Sequence, residues 1–167
     1  MGTGLLNQVD KTIMNLGDLL ARNGIISGLK AEDKKQALQE LANRASEITG
    51  VSAHDVFNAL LQRERLSSTS LGRGIAIPHV KLKGITCITC IFAKLDRTIP
   101  FDSHDGEPVD VLFFLLAPED AGGDHLKALA RISRLVRDSA TLERLRSAKD
   151  ADGLRTVLTA PLTSHAA

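Results

Sequence analysis

Residues 109–118 read VDVLFFLLAP, and residues 86–95, a short way upstream, read TCITCIFAKL. Neither alternates apolar with polar residues; both are nearly unbroken apolar runs of strand length. A strand wetted on one face would alternate, so continuous runs predict strands covered on both faces. A third and shorter run, IAIP at 75–78, precedes them. Together they make a strand-rich middle, and what covers it must come from the flanking segments.

Those flanks read as helices. From Ala31 to Ile48 the apolar residues Leu38, Leu41, Ala45 and Ile48 recur at steps of three and four, one face of a helix that Gly50 ends. A second helix starts at Ser52, with Asp55 three residues on in a capping arrangement and apolar pairs Val56/Phe57 and Leu60/Leu61. It runs out near Arg65, before LSSTSLGRG. Downstream, 124–137, 139–148 and 151–159 read as helices, with Leu142/Leu145 and Leu154/Val157/Leu158 facing inwards. Residues 1–24 carry only weak helical spacing (Ile13, Leu16, Leu19, Leu20), broken by Gly17 and Gly24. GIISGL at 24–29 fits a short strand or an extended connector. Helices before and after a strand-rich middle predict one α/β domain over 1–167, its core at about 25–160, with a mixed β-sheet flanked by α-helices on both faces. The order of the strands is not legible at this stage.

Composition narrows the function. A chain of 167 residues with 43% hydrophobic and 25% charged residues can bury a core and fits a globular protein. A net charge of +1 supplies no field to draw it to nucleic acid or an anionic membrane, and 3% aromatics leave little to stack on bases. No apolar stretch approaches the roughly 20 residues of a membrane span. The N-terminus lacks a basic start followed by an apolar block, and Leu6 stands where a myristoylation signal needs Ser or Thr. The expectation is a cytoplasmic protein without membrane insertion.

Several motifs invite chemistry. Cys87-Ile88-Thr89-Cys90 matches a redox or zinc spacing, but both cysteines fall in a strand-like run rather than at a helix N-terminus. No further ligands lie nearby in sequence, so buried structural cysteines are expected. Gly72-Arg73-Gly74 lacks the third glycine of a dinucleotide loop, having Ile77 there, and no P-loop is present. The basic residues of the C-terminal helices (Lys127, Arg131, Arg134, Arg137, Arg144, Arg146) are interleaved with Asp138 and Glu143, as on a solvated face.

Histidines are more informative. His54, His104 and His165 fall on exposed or turn-like positions. Stepping from His125 by four, three and four gives Leu129, Ile132 and Val136, so it continues a buried helix face at the helix's N-terminal end. Free N–H groups there suit an anion such as phosphate; a core histidine bonded to backbone has the same spacing. His79 follows Pro78, which removes a donor, so the strand should end or lie at an edge there. Gly72 and Gly74 allow close approach of a group, and Arg63, Arg65, Ser67, Ser68 and Thr69 upstream could assemble a phosphate-holding set. Spacing alone leaves His79 open between an acceptor and an ordinary polar residue.

The segment QRERLSSTSLGRGIAIPHVKL resembles the phosphorylation site of the mannitol/fructose-type (type 2) enzyme IIA domains of the bacterial phosphotransferase system. The likeness continues in PFDSHDGEPVDVLFFLLAP and GGDHLKALARISRLV, over roughly 25–150, and is most like the nitrogen-regulatory (PtsN-type) enzyme IIA. The resemblance implies that His79 accepts the phosphoryl group through Nε2, that His125 is the second active-site histidine, and that Arg63 flanks the site. Ser68 and Thr69 fall on the family's Ser-Thr pair as phosphate-binding residues. Ser67 and Ser70 stand where two loop glycines are expected. It further implies a phosphocarrier with no metal, ATP or other cofactor, charged by an HPr-like protein (NPr in the nitrogen branch). Regulatory targets such as potassium transporters and sensor kinases would respond to its phosphorylation. Leu71 and Ile75 are expected at the centre of the docking surface. Two alternatives accompany this reading: a fructose- or mannitol-type IIA passing phosphate to an enzyme IIB, and a non-catalytic regulatory module.

Overall fold

The computed structural model describes residues 15–160; Ile13, Leu6 and His165, named above, lie outside them. The elements in chain order are α1 (Leu16–Leu19), β1 (Leu20–Leu29), α2 (Lys34–Thr49), α3 (Ala53–Leu66), β2 (Ser70–Gly72), β3 (Ile75–Ala76), β4 (His79–Leu82), β5 (Thr89–Ile99), β6 (Val109–Pro118), α4 (Asp124–Arg137), α5 (Ser139–Ser147) and α6 (Ala151–Thr159).

The two apolar runs form the centre of a six-stranded mixed sheet of order β1-β5-β6-β3-β2, with β4 also on β6. β5 and β6 pair antiparallel, Ile91 opposite Phe114 and Phe92 opposite Phe113, while β1 runs parallel to β5 and both β3 and β4 run parallel to β6. Because side chains alternate along a strand, the continuous runs divide between two cores. Ile91, Ala93, Leu112, Phe114 and Leu116 pack with Leu38, Leu41, Val56 and Leu60 of α2 and α3. Cys90, Phe92, Val111, Phe113 and Leu115 pack with Leu16, Ile132, Leu142 and Leu158 of the other helices. Both faces are covered, as the unbroken runs predict. Phe92 and Phe113 meet edge to face, with centroids 5.0 Å apart.

Local sequence explains the boundaries. Asp33 caps α2 by accepting the Gln36 N–H, and Gly50 ends it at φ 79°. Ser52 caps α3 by accepting the Asp55 N–H. Ala31, expected at the head of α2, precedes its cap.

The N-terminal segment differs more. Leu20, assigned above to a weak helical pattern, begins a ten-residue strand, and GIISGL is that strand's second half. Arg155 donates to the carbonyls of Ala21 and Arg22, and Arg44 to that of Asn23, so distant arginines satisfy backbone carbonyls in the first half of β1. Cys90 is buried in β5, but Cys87 precedes that strand and is exposed. The expectation of two buried cysteines therefore holds for one; the run TCI before Thr89 lies outside the strand.

Pro78 interrupts a strand without ending it. β3 and β4 occupy the same side of β6, and the Pro78 carbonyl still accepts the Leu115 N–H at 2.9 Å. β2 covers β3 but not β4, which is left as an edge strand starting at His79.

Candidate functional site

β4 presents His79 to a cleft of about 590 Å³ between α3, the edge of the sheet and the start of α4. Ala59, Gln62, Arg63 and Leu66 form its α3 wall, one face at steps of three, one and three. His79, Lys81, Leu115 and Ala117 line the sheet side, and His125 reaches in from α4. The structure thus brings His79, His125 and Arg63, far apart in sequence, to one depression.

The geometry fixes the chemistry of each ring. The Nδ1 of His79 lies 2.8 Å from the Ile77 carbonyl oxygen. A carbonyl only accepts, so Nδ1 carries the proton and Nε2 keeps the lone pair in the neutral ring. His125 is bound in the same way, Nδ1–H to the Gly122 carbonyl at 2.8 Å, leaving its Nε2 for the cleft. Burial holds the His79 pKa below the ordinary 6.5. The Ile77 hydrogen bond opposes this, Arg63 adds to the lowering, Glu64 opposes it, and His125 adds again. The ring is therefore held as a neutral nucleophile. Arg63 spends Nη1 on the Ser67 carbonyl at 3.1 Å, which caps the end of α3 and leaves its other donors.

Ser68 and Thr69 do not line the cleft. The Ser68 hydroxyl donates to the Phe101 carbonyl at 2.8 Å, and the buried Thr69 hydroxyl donates to Glu64. Their hydroxyls brace the loop rather than face an incoming anion. Ser67 and Ser70, in place of the expected glycines, cause no strain. Ser67 is extended at φ −172°, and among described non-glycine residues only Arg73 and Asp102 have positive φ. Gly74, at φ 82°, does need its freedom: a Cβ there would lie 2.5 Å from the Arg146 guanidinium, which clamps Asp110 and the Arg73 carbonyl.

Sequence reading missed two contributors. Glu64 is buried beneath the site, with its side chain 3% exposed and 3.0 Å from the Lys34 ammonium. It accepts both the N–H and the hydroxyl of Thr69. The Thr69 carbonyl accepts the Ile77 N–H at 3.0 Å, and the Ile77 carbonyl orients His79. A chain of hydrogen bonds thus runs from the helix carrying Arg63 to the reactive ring. Stepping four from Val56 gives Leu60 and then Glu64, so a carboxylate on the apolar face of α3 was the available signal. Lys81, the other contributor, lies two residues beyond His79 and therefore on the same strand face. Among the expected docking residues, Ile75 is fully buried and Leu71 lies outside the cleft. Leu66, 81% exposed, is on its rim, and the exposed Leu126 follows His125. His54 and His104 are exposed, as expected. Among the described residues no group of His, Cys, Asp and Glu is arranged to hold a metal ion.

Residues 18–160 match the family described as phosphoenolpyruvate-dependent sugar phosphotransferase system, EIIA 2. A nitrogen regulatory protein of Bradyrhizobium diazoefficiens is 53% identical over 148 residues, 89% of this chain and 97% of that protein. The crystal structure of nitrogen regulatory protein IIA-Ntr from Neisseria meningitidis aligns with a TM-score of 0.82 at 33% identity, covering 86% of this chain and 99% of that one. IIA mannitol from Escherichia coli shares the fold, with a TM-score of 0.70 at 22% identity over 83% of this chain and 97% of that one.

Proposed function

The chain belongs to the EIIA type 2 family of the phosphotransferase system, and from that premise we propose that it is the phosphocarrier of a nitrogen-type branch, taking a phosphoryl group onto Nε2 of His79 from the phosphohistidine of an HPr-like protein (NPr). As a family member it is a phosphotransferase component. The observation that carries the residue assignment is the lone pair left on His79 Nε2 by the Nδ1–H bond to Ile77, in a cleft shared with Arg63 and His125.

In this reading the donor ring approaches along the cleft with its P–N bond in line with His79 Nε2. The Nε2 lone pair forms the new P–N bond as the donor bond breaks, its electrons returning to the donor nitrogen. One P–N bond replaces another, so the exchange is nearly balanced and reversible. The transition state is loose, with charge spread over three oxygens, and the protein's work is positioning and neutralisation. Arg63 faces that charge. His125 can offer Nε2–H to a phosphoryl oxygen only as the imidazolium, because its Nδ1–H is already spent on Gly122. Once phosphorylated, the His79 ring carries positive charge, which the Ile77 carbonyl stabilises.

Relay requires quick release, which suits a small contact around the cleft, with Leu66 in its lining and the exposed Leu126 next to His125 in the chain. Among the described residues no helix is long and apolar enough to cross a membrane. Exchange with a partner protein of the HPr type is consistent with a reaction in the cytoplasm. The phosphorylation state would then switch binding of regulatory targets. The test uses labelled phosphoenolpyruvate with the donor kinase and NPr: wild type should take up label and His79→Ala none. Uptake by His79→Ala would overturn the assignment, with His125 the next acceptor to examine.

A further inference from the structure

We propose that Lys81 holds the phosphoryl group on His79, closing over it as a mobile counter-charge that is unpartnered until the group arrives; this rests on His79 being the acceptor. The two residues are neighbours on one face of β4. His79 lies opposite Leu115 and Lys81 opposite Ala117 on β6, and all four line the cleft. Val80 between them packs into the α2/α3 core while also bordering the cleft, which fixes the strand there.

The cleft's lining carries two cations, two histidines and the Gln62 amide, but no carboxylate. The nearest acidic group beneath it, Glu64, is already matched by Lys34 and Thr69. The two cations differ in freedom. Arg63 is tied to the Ser67 carbonyl and so to the end of α3. Lys81 is exposed and makes no ion pair or hydrogen bond with another described side chain, whereas Lys34 and Lys94 are each committed to protein oxygens. A phosphoryl group brings between one and two negative charges and strong acceptor oxygens. An ammonium with three donors on a flexible stem, rooted one side chain away on the same face, can reach those oxygens without moving the backbone. It would neutralise charge as the group crosses and hold it on the ring afterwards.

Lys81→Gln, Lys81→Arg and, as a control outside the cleft, Lys83→Gln should be compared in single-turnover transfer from phosphorylated NPr. Lys81→Gln should accept the group about five- to tenfold more slowly, the scale of one charge pair a few ångströms apart in a largely aqueous setting. Lys81→Arg should recover most of the rate and Lys83→Gln should match wild type. A ³¹P NMR titration of the phosphorylated proteins supplies the second readout. A nearby ammonium favours the dianion, so Lys81→Gln should raise the phosphoryl group's titration midpoint while Lys81→Arg leaves it near wild type. An unchanged rate and midpoint in Lys81→Gln, with wild type phosphorylated on His79, would overturn the role of Lys81 alone. Absence of phosphate on His79 in wild type would instead remove the acceptor assignment beneath it.

Discussion

Replacing Glu64 with alanine is the perturbation whose size the structure best defines. The carboxylate is 3% exposed and meets Lys34 at 3.0 Å, the Thr69 N–H at 3.2 Å, and the Thr69 hydroxyl. Removing one partner of a buried ion pair costs about 3–5 kcal/mol, and each buried donor left unmatched about 1–3 kcal/mol. Lys34 softens this loss. It is 17% exposed, keeps Asp102 at 3.4 Å and sits 4.6 Å from the centre of the Phe101 ring. The expected loss is therefore near the low end, about 3 kcal/mol. For a domain of this size that is a fall in Tm of roughly 6–12 °C. Urea unfolding of Glu64→Ala, Lys34→Met and the double variant should show a coupling of about 1–3 kcal/mol between the two positions. Because Glu64 also anchors Thr69, and through Ile77 the His79 ring, Glu64→Ala should slow phosphoryl transfer under conditions where it remains folded. Glu64→Gln, which keeps an acceptor for Thr69, should recover part of both losses. A stability loss below about 1 kcal/mol, or no coupling to Lys34, would refute this account of the buried carboxylate.

Burial holds the His79 pKa below 6.5, so the transfer rate should persist as pH falls from neutrality through 6.5 and drop only below it. The same depression makes the unfolded chain bind more protons in that window, so stability rises with pH there and is lost as pH falls through the folded pKa; His79→Gln should flatten that part of the stability profile. Thiol titration should count one reactive cysteine in the folded protein and two in denaturant, since Cys87 is exposed while burial pushes the Cys90 thiol up to about 12. Gly74→Ala should lower stability by about 2 kcal/mol or more, because it forces an L side chain to φ 82° and into the Arg146–Asp110 clamp.

What the sequence made legible followed short-range rules. The unbroken runs at 86–95 and 109–118 announced strands covered twice, and Asp33, Ser52 and Gly50 act where capping chemistry puts such residues. His79 was open on spacing and became an acceptor candidate through resemblance; the shared cleft with His125 and Arg63 depends on the parallel placement of β4 on β6, which no local pattern encodes. Long-range partners account for the misses. The backbone carbonyls of Ala21 and Asn23 in β1 are satisfied by Arg155 and Arg44, which arrive from elsewhere in the chain. Ser68, which the resemblance assigns to phosphate, has its hydroxyl bonded to the Phe101 carbonyl, 33 residues on. Glu64 and Lys81 are reachable by stepping four along a helix and two along a strand, but such spacing alone does not separate them from charged residues on a solvated face.

The central claim is that one nitrogen, Nε2 of His79, receives the phosphoryl group. Long-range ¹H–¹⁵N correlation spectra of the protein before and after charging by phosphorylated NPr address it directly. Free His79 should appear as the Nδ1–H form, and charging should produce phosphorus coupling at its Nε2 alone. Coupling at Nδ1, or at either nitrogen of His125, would contradict the account.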